Sequence, residues 1–264
     1  MKAKSKNLFV HFHRREHPFV ERCLDWKQQV IDRYQEVITP FLTPREQEIL
    51  TQLMKNEPAL MFRVDGGLEE AERCRMQLGL AEMIEFQSPI PIAFLRIVSH
   101  SGKRLKHQQV LGSILGLGVD RNQIGDLYPH AAGCDLVVAE EMSDYIQFHL
   151  ERVGREKVRV EEISRDQLIR EEPVIQIRKV LLSSLRLDTV VSGGFQVSRK
   201  KAANFIRTEK CSVNWKIEDN PSAQVEEGSL LSLRGHGRIR LIAVEKETKK
   251  GKFFVRFGVY QDPD

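Results

Sequence analysis

SSLRLDTVVSGGFQVSRKKAANFIRTEKCSVNW, residues 183–215, decides how the rest of the chain is read. RLDTVVSGG reads as a short helix ending at Gly193-Gly194, where glycine is expected to supply a positive-φ helix stop. Ser198 then stands at an N-cap position. On the helix it opens, Ala202, Phe205 and Ile206 form one apolar stripe, and Arg199, Lys200, Lys201 and Arg207 occupy the remainder. CSVNWKI reads as a strand with Asn214 placed for a turn. SLLSLRG, RIRLIAVEKE and KFFVRFGVYQ read as further strands, the last two flanking the hairpin-like turn ETKKGK. Residues 180–264 thus form a small α+β module with two short helices and unusually many cations for its apolar content.

The distribution of charge sharpens that reading. From Arg178 onward there are 17 Lys and Arg against 10 Asp and Glu, a net +7, whereas residues 1–177 carry 24 against 27, a net −3. A basic end on a mildly acidic body points to a polyanionic partner. Phosphates call for Lys and Arg, and a capped helix start adds N–H donors and a favourable dipole. LRGHGRIR brings a second basic group, Arg234, His236, Arg238 and Arg240, on a loop carrying Gly235 and Gly237. Few aromatics accompany these cations, which favours shape-based recognition of folded RNA over stacking on single strands. The residues expected to contact RNA are Arg186, Arg199, Lys200, Lys201, Lys210, Arg234 and Arg238, with Ser198 capping the recognition helix.

Upstream, residues 1–57 read as helical. PFVERCLDWKQQVIDRY has apolar residues mostly three to five apart and Pro18 suited to a first turn. TPREQEILTQLM has Thr43 as N-cap, Pro44 at N1 and Glu46 completing a capping box. His11, His13 and His17 suit a basic helix face better than a metal site, because no Cys or carboxylate stands at a ligand spacing. Residues 58–176 alternate strand and helix signals: ALMFRV, then DGGLEEAERCRMQLG turning into an amphipathic helix, IPIAFLRIVS, the helix HQQVLGSILGLG, paired strands IGDLYPH and DLVVAEE, the helix MSDYIQFHLERVG, and extended KVRVEEI. That order predicts a ferredoxin- or RRM-like α+β sandwich. Neither glycine cluster, VDGGLEEAER or GSILGLGVD, carries a Walker lysine or a full G-x-G-x-x-G, and Gly118 is explained by a helix C-cap. No cofactor is expected.

Arg186-Leu187-Asp188, Ser198-Arg199, Ala202, Ile206, Val213-Asn214, Val225, Gly228 and Arg234-Gly235 resemble the ribosomal protein S-four-type RNA-binding domain. Lys210-Cys211-Ser212 lacks the glycine often found before the valine, and Ser229 stands where Asp is common. Together with LTPREQEIL, GGLEEAER, LGLGVDRNQIGDL, SSLRLD, SLRGHGR and TKKGK, the chain resembles the YlmH family. Members are bacterial cytoplasmic RNA-binding proteins, and those of cyanobacteria and plastids are sometimes labelled photosystem II S-four-domain proteins. The resemblance implies a helical start, a central RRM-like domain and a terminal RNA-binding module. It also implies an RNA partner, rRNA or tRNA on the large ribosomal subunit, in translation quality control.

Enzymes often carry such a module. Arg186-Leu187-Asp188 only mimics the catalytic loop of a pseudouridine synthase, no strand is followed at once by a methyltransferase cofactor loop, and no synthetase signature appears. A non-enzymatic RNA-binding protein is therefore expected, the alternatives being an accessory to an RNA-modifying enzyme or a photosystem-related assembly factor. The central domain is expected to meet protein or further RNA. No stretch approaches the roughly eighteen apolar residues of a membrane helix, and the basic start lacks an apolar core and cleavage site. Cys23, Cys74, Cys134 and Cys211, far apart and without a Cys-x-x-Cys pair, read as buried free thiols of a cytoplasmic protein.

Overall fold

Helix starts near the amino terminus follow from their caps. Pro18 lies in the first turn of α1 (His17–Arg33). At the start of α2 (Pro44–Met54), the Thr43 hydroxyl accepts from Glu46 N at 3.4 Å while the Glu46 carboxylate accepts from Thr43 N at 2.7 Å, a complete capping box. Thr43→Ala removes one half of that exchange. It is expected to cost about 1 kcal/mol, read as a lower urea midpoint. This computed structural model describes residues 8–55, 57–81, 89–247 and 251–261. The chain divides into two compact units, residues 1–171 and 172–263. The architecture is α+β, and among the described residues no helix is long and apolar enough to cross a membrane.

In the first unit, β1 (Val37–Ile38), β2 (Leu60–Asp65) and β3 (Arg75–Leu80) form an antiparallel sheet in the order β1-β3-β2. Val20, Cys23 and Val30 of α1 and Ile49, Leu50 and Leu53 of α2 pack with Met76 and Leu78 of β3. The pairing Val37↔Leu78 places residues from both sides of position 57 in one sheet. DGGLEEAERCRMQLG departs from expectation: it is a loop followed by β3, not a helix. The cause is tertiary. The Asp126 carboxylate accepts from Glu72 N at 2.6 Å and Arg73 N at 3.3 Å, so these amides bond to a residue more than fifty positions away instead of to carbonyls one turn back.

The second part of this unit runs β4 (Ile92–Ser99), α3 (His107–Gly116), β5 (Ile124–His130), β6 (Gly133–Ala139), α4 (Ser143–His149), β7 (Arg152–Val153) and β8 (Glu156–Ile163). The antiparallel order β5-β6-β4-β8-β7 is a ferredoxin-like split βαβ with one extra edge strand. One sheet face packs Leu95, Ile97 and Leu136 against Val110 and Ile114 of α3 and Ile146 of α4. On the other face, Phe41 and Leu168 pack with Phe94, Val137 and Ala139. A strap after β8 closes over the middle of it. The buried Asp135 carboxylate accepts from Arg96 Nε at 2.7 Å and from Ile169 N at 2.8 Å, with His130 Nε2 at 3.0 Å.

In the second unit, β9 (Val174–Leu182) precedes α5 (Leu187–Phe195) and α6 (Arg199–Arg207). β10 (Cys211–Val213), β11 (Lys216–Ile217), β12 (Leu230–Leu233), β13 (Gly237–Glu247) and β14 (Phe253–Gln261) complete a six-stranded sheet in the order β11-β10-β12-β13-β14-β9. Leu187, Val190, Val191, Ala202 and Ile206 pack the helix pair on Leu231, Ile239 and Phe257. Two details differ from the sequence reading. CSVNWKI is two short strands joined at Asn214 and Trp215, with φ of 49° and 64°. Asn214 Oδ1 accepts from Leu230 N at 2.9 Å, which fixes that turn. Gly193 and Gly194 lie inside α5, and the left-handed stop is Gln196, φ 55°. A Cβ on Gly193 would stand 2.5 Å from Leu182 Cδ2, and one on Gly194 2.1 Å from Ile239 Cδ1, so the pair allows close approach of helix to sheet. Of the ETKKGK turn, Thr248 to Lys250 lie outside the described residues.

Candidate nucleic-acid interface

Asp188 organises the helix pair. Its buried carboxylate accepts from Arg186 Nε at 3.2 Å and from Arg199 Nε at 3.0 Å. Burial alone would raise the Asp188 pKa, but hydrogen bonds from the two guanidinium groups outweigh it and hold the carboxyl below its ordinary value. Arg186 is the residue before α5 and Arg199 the first residue of α6, so one buried anion fixes both helix starts. Both arginines keep part of the side chain open to solvent. Their first role is nonetheless internal.

Ser198 is the N-cap of α6, its hydroxyl accepting from Lys201 N at 3.3 Å. Lys200 and Lys201 project from the first turn into solvent and form one side of an open groove of about 550 Å³, whose lining also includes Asn204, Phe205 and His236. The other side is His236, held out by the tight turn Arg234–His236 between β12 and β13, where Gly235 has φ 81°. Arg234 N donates to the Lys210 carbonyl at 3.0 Å, which ties this turn to the residue just after α6. Around Phe205 the groove gains ring chemistry. His236 stands edge-on to it with centroids 5.2 Å apart, and the Lys210 ammonium lies 5.8 Å from its centroid.

Of the residues singled out from sequence, the fold therefore gathers Ser198, Lys200 and Lys201 at one groove, sets the Lys210 ammonium beside its Phe205 ring and Arg234 in the adjoining turn, and brings Arg186 and Arg199 to Asp188. Arg238 is exposed on β13 opposite Ser232. Arg240, two residues further, donates from Nε to the Tyr260 hydroxyl at 3.1 Å. Asn204, Phe205, His236 and Asp188 were not among the expected site residues. A phenylalanine four residues after Lys201 and a histidine between two turn glycines were the available signals, but only the antiparallel return of β12 into β13 brings them together. His13 and His17 serve the local fold: His13 Nδ1 accepts from Arg15 N at 3.3 Å, and His17 Nε2 donates to the Phe9 and Phe12 carbonyls at 3.2 Å each.

Chemically, the groove presents point charges on a helix start beside a ring edge. That combination suits a phosphodiester backbone with an adjacent base or sugar.

Residues 15–83 match the family model "YlmH, N-terminal", and residues 94–167 match "Putative RNA-binding domain in YlmH". A relative, the ribosome-associated protein quality control protein P2 of Bacillus subtilis (strain 168), is 32% identical over 253 residues, spanning 95% of this chain and 98% of the relative. A solved structure, cell division protein ylmH from Streptococcus pneumoniae, aligns with 60% of this chain and 97% of its own, with a TM-score of 0.52 and 24% identity, a likeness of fold.

Proposed function

Because this chain belongs to the YlmH family, we propose that it is a non-catalytic, ribosome-associated RNA-binding protein that grips structured RNA with its second unit. The observation that carries the reading is the pairing of Lys200 and Lys201 on one groove at a Ser198-capped helix start, with the Lys210 ammonium beside the groove's Phe205 ring. Resemblance of this unit to the S-four-type domain supports the same surface. The family model over residues 94–167 supports RNA as the partner class. The relative's printed role in ribosome-associated quality control supports the ribosome as the setting. Within that reading the RNA is rRNA or tRNA on the large subunit, and the protein acts in the cytoplasm on stalled translation complexes.

The test is sedimentation with separated ribosomal subunits, using Lys200→Ala/Lys201→Ala with Arg199 retained, since Arg199 also holds Asp188. The parent is expected to travel with the large subunit. The double variant is expected to bind about 10- to 100-fold more weakly, with a salt slope shallower by about two, one for each phosphate contact removed. If about five phosphates are engaged, a fourfold rise in salt lowers the parent's affinity by roughly two to three orders of magnitude. A flat salt response, or parent and variant sedimenting alike, overturns the reading.

A further inference from the structure

An RRM-type domain ordinarily offers its open sheet face to nucleic acid, through aromatic residues that stack on bases. In the domain of β4 to β8 the middle of that face is occupied. Phe94 packs with Phe41, Val137 and Leu168. The Arg165 guanidinium covers the Phe94 ring at 5.2 Å. A Cβ on Gly67 would stand 2.9 Å from both Phe94 and Val137, so the loop after β2 also lies directly on this surface. Over the middle of this face the arginines are already paired, Arg96 with Asp135, Arg165 with Asp65 and Arg170 with Glu70, and Arg104 pairs with Glu171.

The far edge is different. Register pairs Arg152 with Lys157 across β7 and β8, and Arg159 with Val98 of β4, which sets Arg152, Lys157 and Arg159 on the face away from the helices. Arg155 stands in the hairpin turn beside them. All four are exposed, and among the described residues Arg152, Arg155 and Lys157 have no carboxylate in ion-pair contact, while Arg159 meets Glu161 at 3.2 Å. The hairpin is held in place: Gly154 N donates to Ser113 Oγ at 3.3 Å, and the Lys157 carbonyl accepts from His100 N at 3.0 Å. The carboxylate next to the turn, Glu156, is turned to Ser99 Oγ at 3.0 Å and Ser101 N at 3.2 Å.

We propose that the β7–β8 hairpin is a second RNA-backbone contact, in which Arg152, Arg155 and Lys157 bind phosphates of a folded RNA from the sheet edge while the stacking face stays sealed. Residues two apart on a strand are roughly 6.6 Å apart, so Lys157 and Arg159 are spaced on the scale of successive phosphates of one strand. The inference rests on RNA as the partner class, but not on the groove of the second unit.

The experiment is fluorescence anisotropy of the full chain with a labelled RNA stem-loop whose duplex is about 16 base pairs, the span that duplex-binding modules cover, over a series of salt concentrations. Arg152→Ala/Arg155→Ala/Lys157→Ala is compared with the parent, with Lys200→Ala/Lys201→Ala, and with the charge-preserving Arg152→Lys/Arg155→Lys. The triple variant, folded by circular dichroism, is expected to lose at least about tenfold in affinity with a slope shallower by two to three. The lysine variant is expected to keep most of the parent's binding. A triple variant matching the parent in both affinity and slope overturns the hairpin contact, even if the Lys200/Lys201 variant loses binding. If the triple variant loses binding and the Lys200/Lys201 variant does not, the hairpin stands and the groove falls. A parent that binds polyglutamate as tightly as it binds the stem-loop, or that does not bind RNA at all, overturns both.

Discussion

Gly133→Ala is expected to disrupt the five-stranded sheet of the first unit and leave the second unit folded. The glycine opens β6 with φ 150°, and a Cβ there would stand 2.0 Å from the Ile97 carbonyl oxygen. That oxygen belongs to the backbone of the central strand β4, which pairs with β6 from Ile92↔Ala139 to Ile97↔Cys134, so no side-chain rotation relieves the overlap. The strand must shift or unpair. The cost is roughly 3 kcal/mol or more, combining backbone strain with lost pairing. Hydrogen-exchange mass spectrometry checks it: peptides covering β4 and β6 should lose protection by two orders of magnitude or more, while those covering β13 and β14 should match the parent. Equal protection throughout would show that the close approach is relieved elsewhere.

Asp188→Asn should weaken the second unit and change how it responds to acid. In the parent, the carboxyl's folded pKa lies below its unfolded value, because the bonds from Arg186 and Arg199 outweigh the opposing effect of burial. The sign follows from linkage. Its stabilisation is fully present above the unfolded value of about 3.9 and disappears as pH falls through the folded value. Removing one member of a fully enclosed ion pair costs about 3 to 5 kcal/mol. Here the arginines keep 37% and 55% of their side-chain exposure and regain water when the carboxylate is lost, so about 2 kcal/mol is expected at neutral pH. Urea unfolding at pH 7 and at pH 3 is the measurement. The difference between parent and variant should be largest at pH 7 and shrink at pH 3, and a difference that does not change with pH would show that Asp188 acts by shape alone.

Much of this molecule was readable where a local interaction decides the structure. The capping box at Thr43 and Glu46, Pro18 in the first turn of α1, and Ser198 before α6 each depend on partners within four residues, and each formed as spelled. Where the partner is distant, the local pattern misleads. GGLEEAERC has helical spacing, but Asp126 captures its amides, and no window around residue 70 contains Asp126. Gly193-Gly194 looked like a stop because glycine permits positive φ. Its use is the missing side chain, which only the positions of Leu182 and Ile239 reveal. The candidate site divides the same way. Lys200 and Lys201 announced themselves by charge, whereas Arg186 and Arg199 looked equivalent to them and turn out to be tied to one buried carboxylate.

The four cysteines are spread through the fold in a way that has a practical consequence. Cys23 sits in the core between α1 and α2, Cys74 where the loop after β2 enters β3, Cys134 in the ferredoxin-like core, and Cys211 in the core of the second unit. Burial raises every one of these thiols, Cys74 to about 11 and Cys23 and Cys211 to about 12, so the reactive thiolate is nearly absent while its surroundings stay folded. Alkylation of each cysteine then becomes a clock for the opening of its own neighbourhood. A single pulse-labelling experiment, read residue by residue, reports which part of the chain opens first.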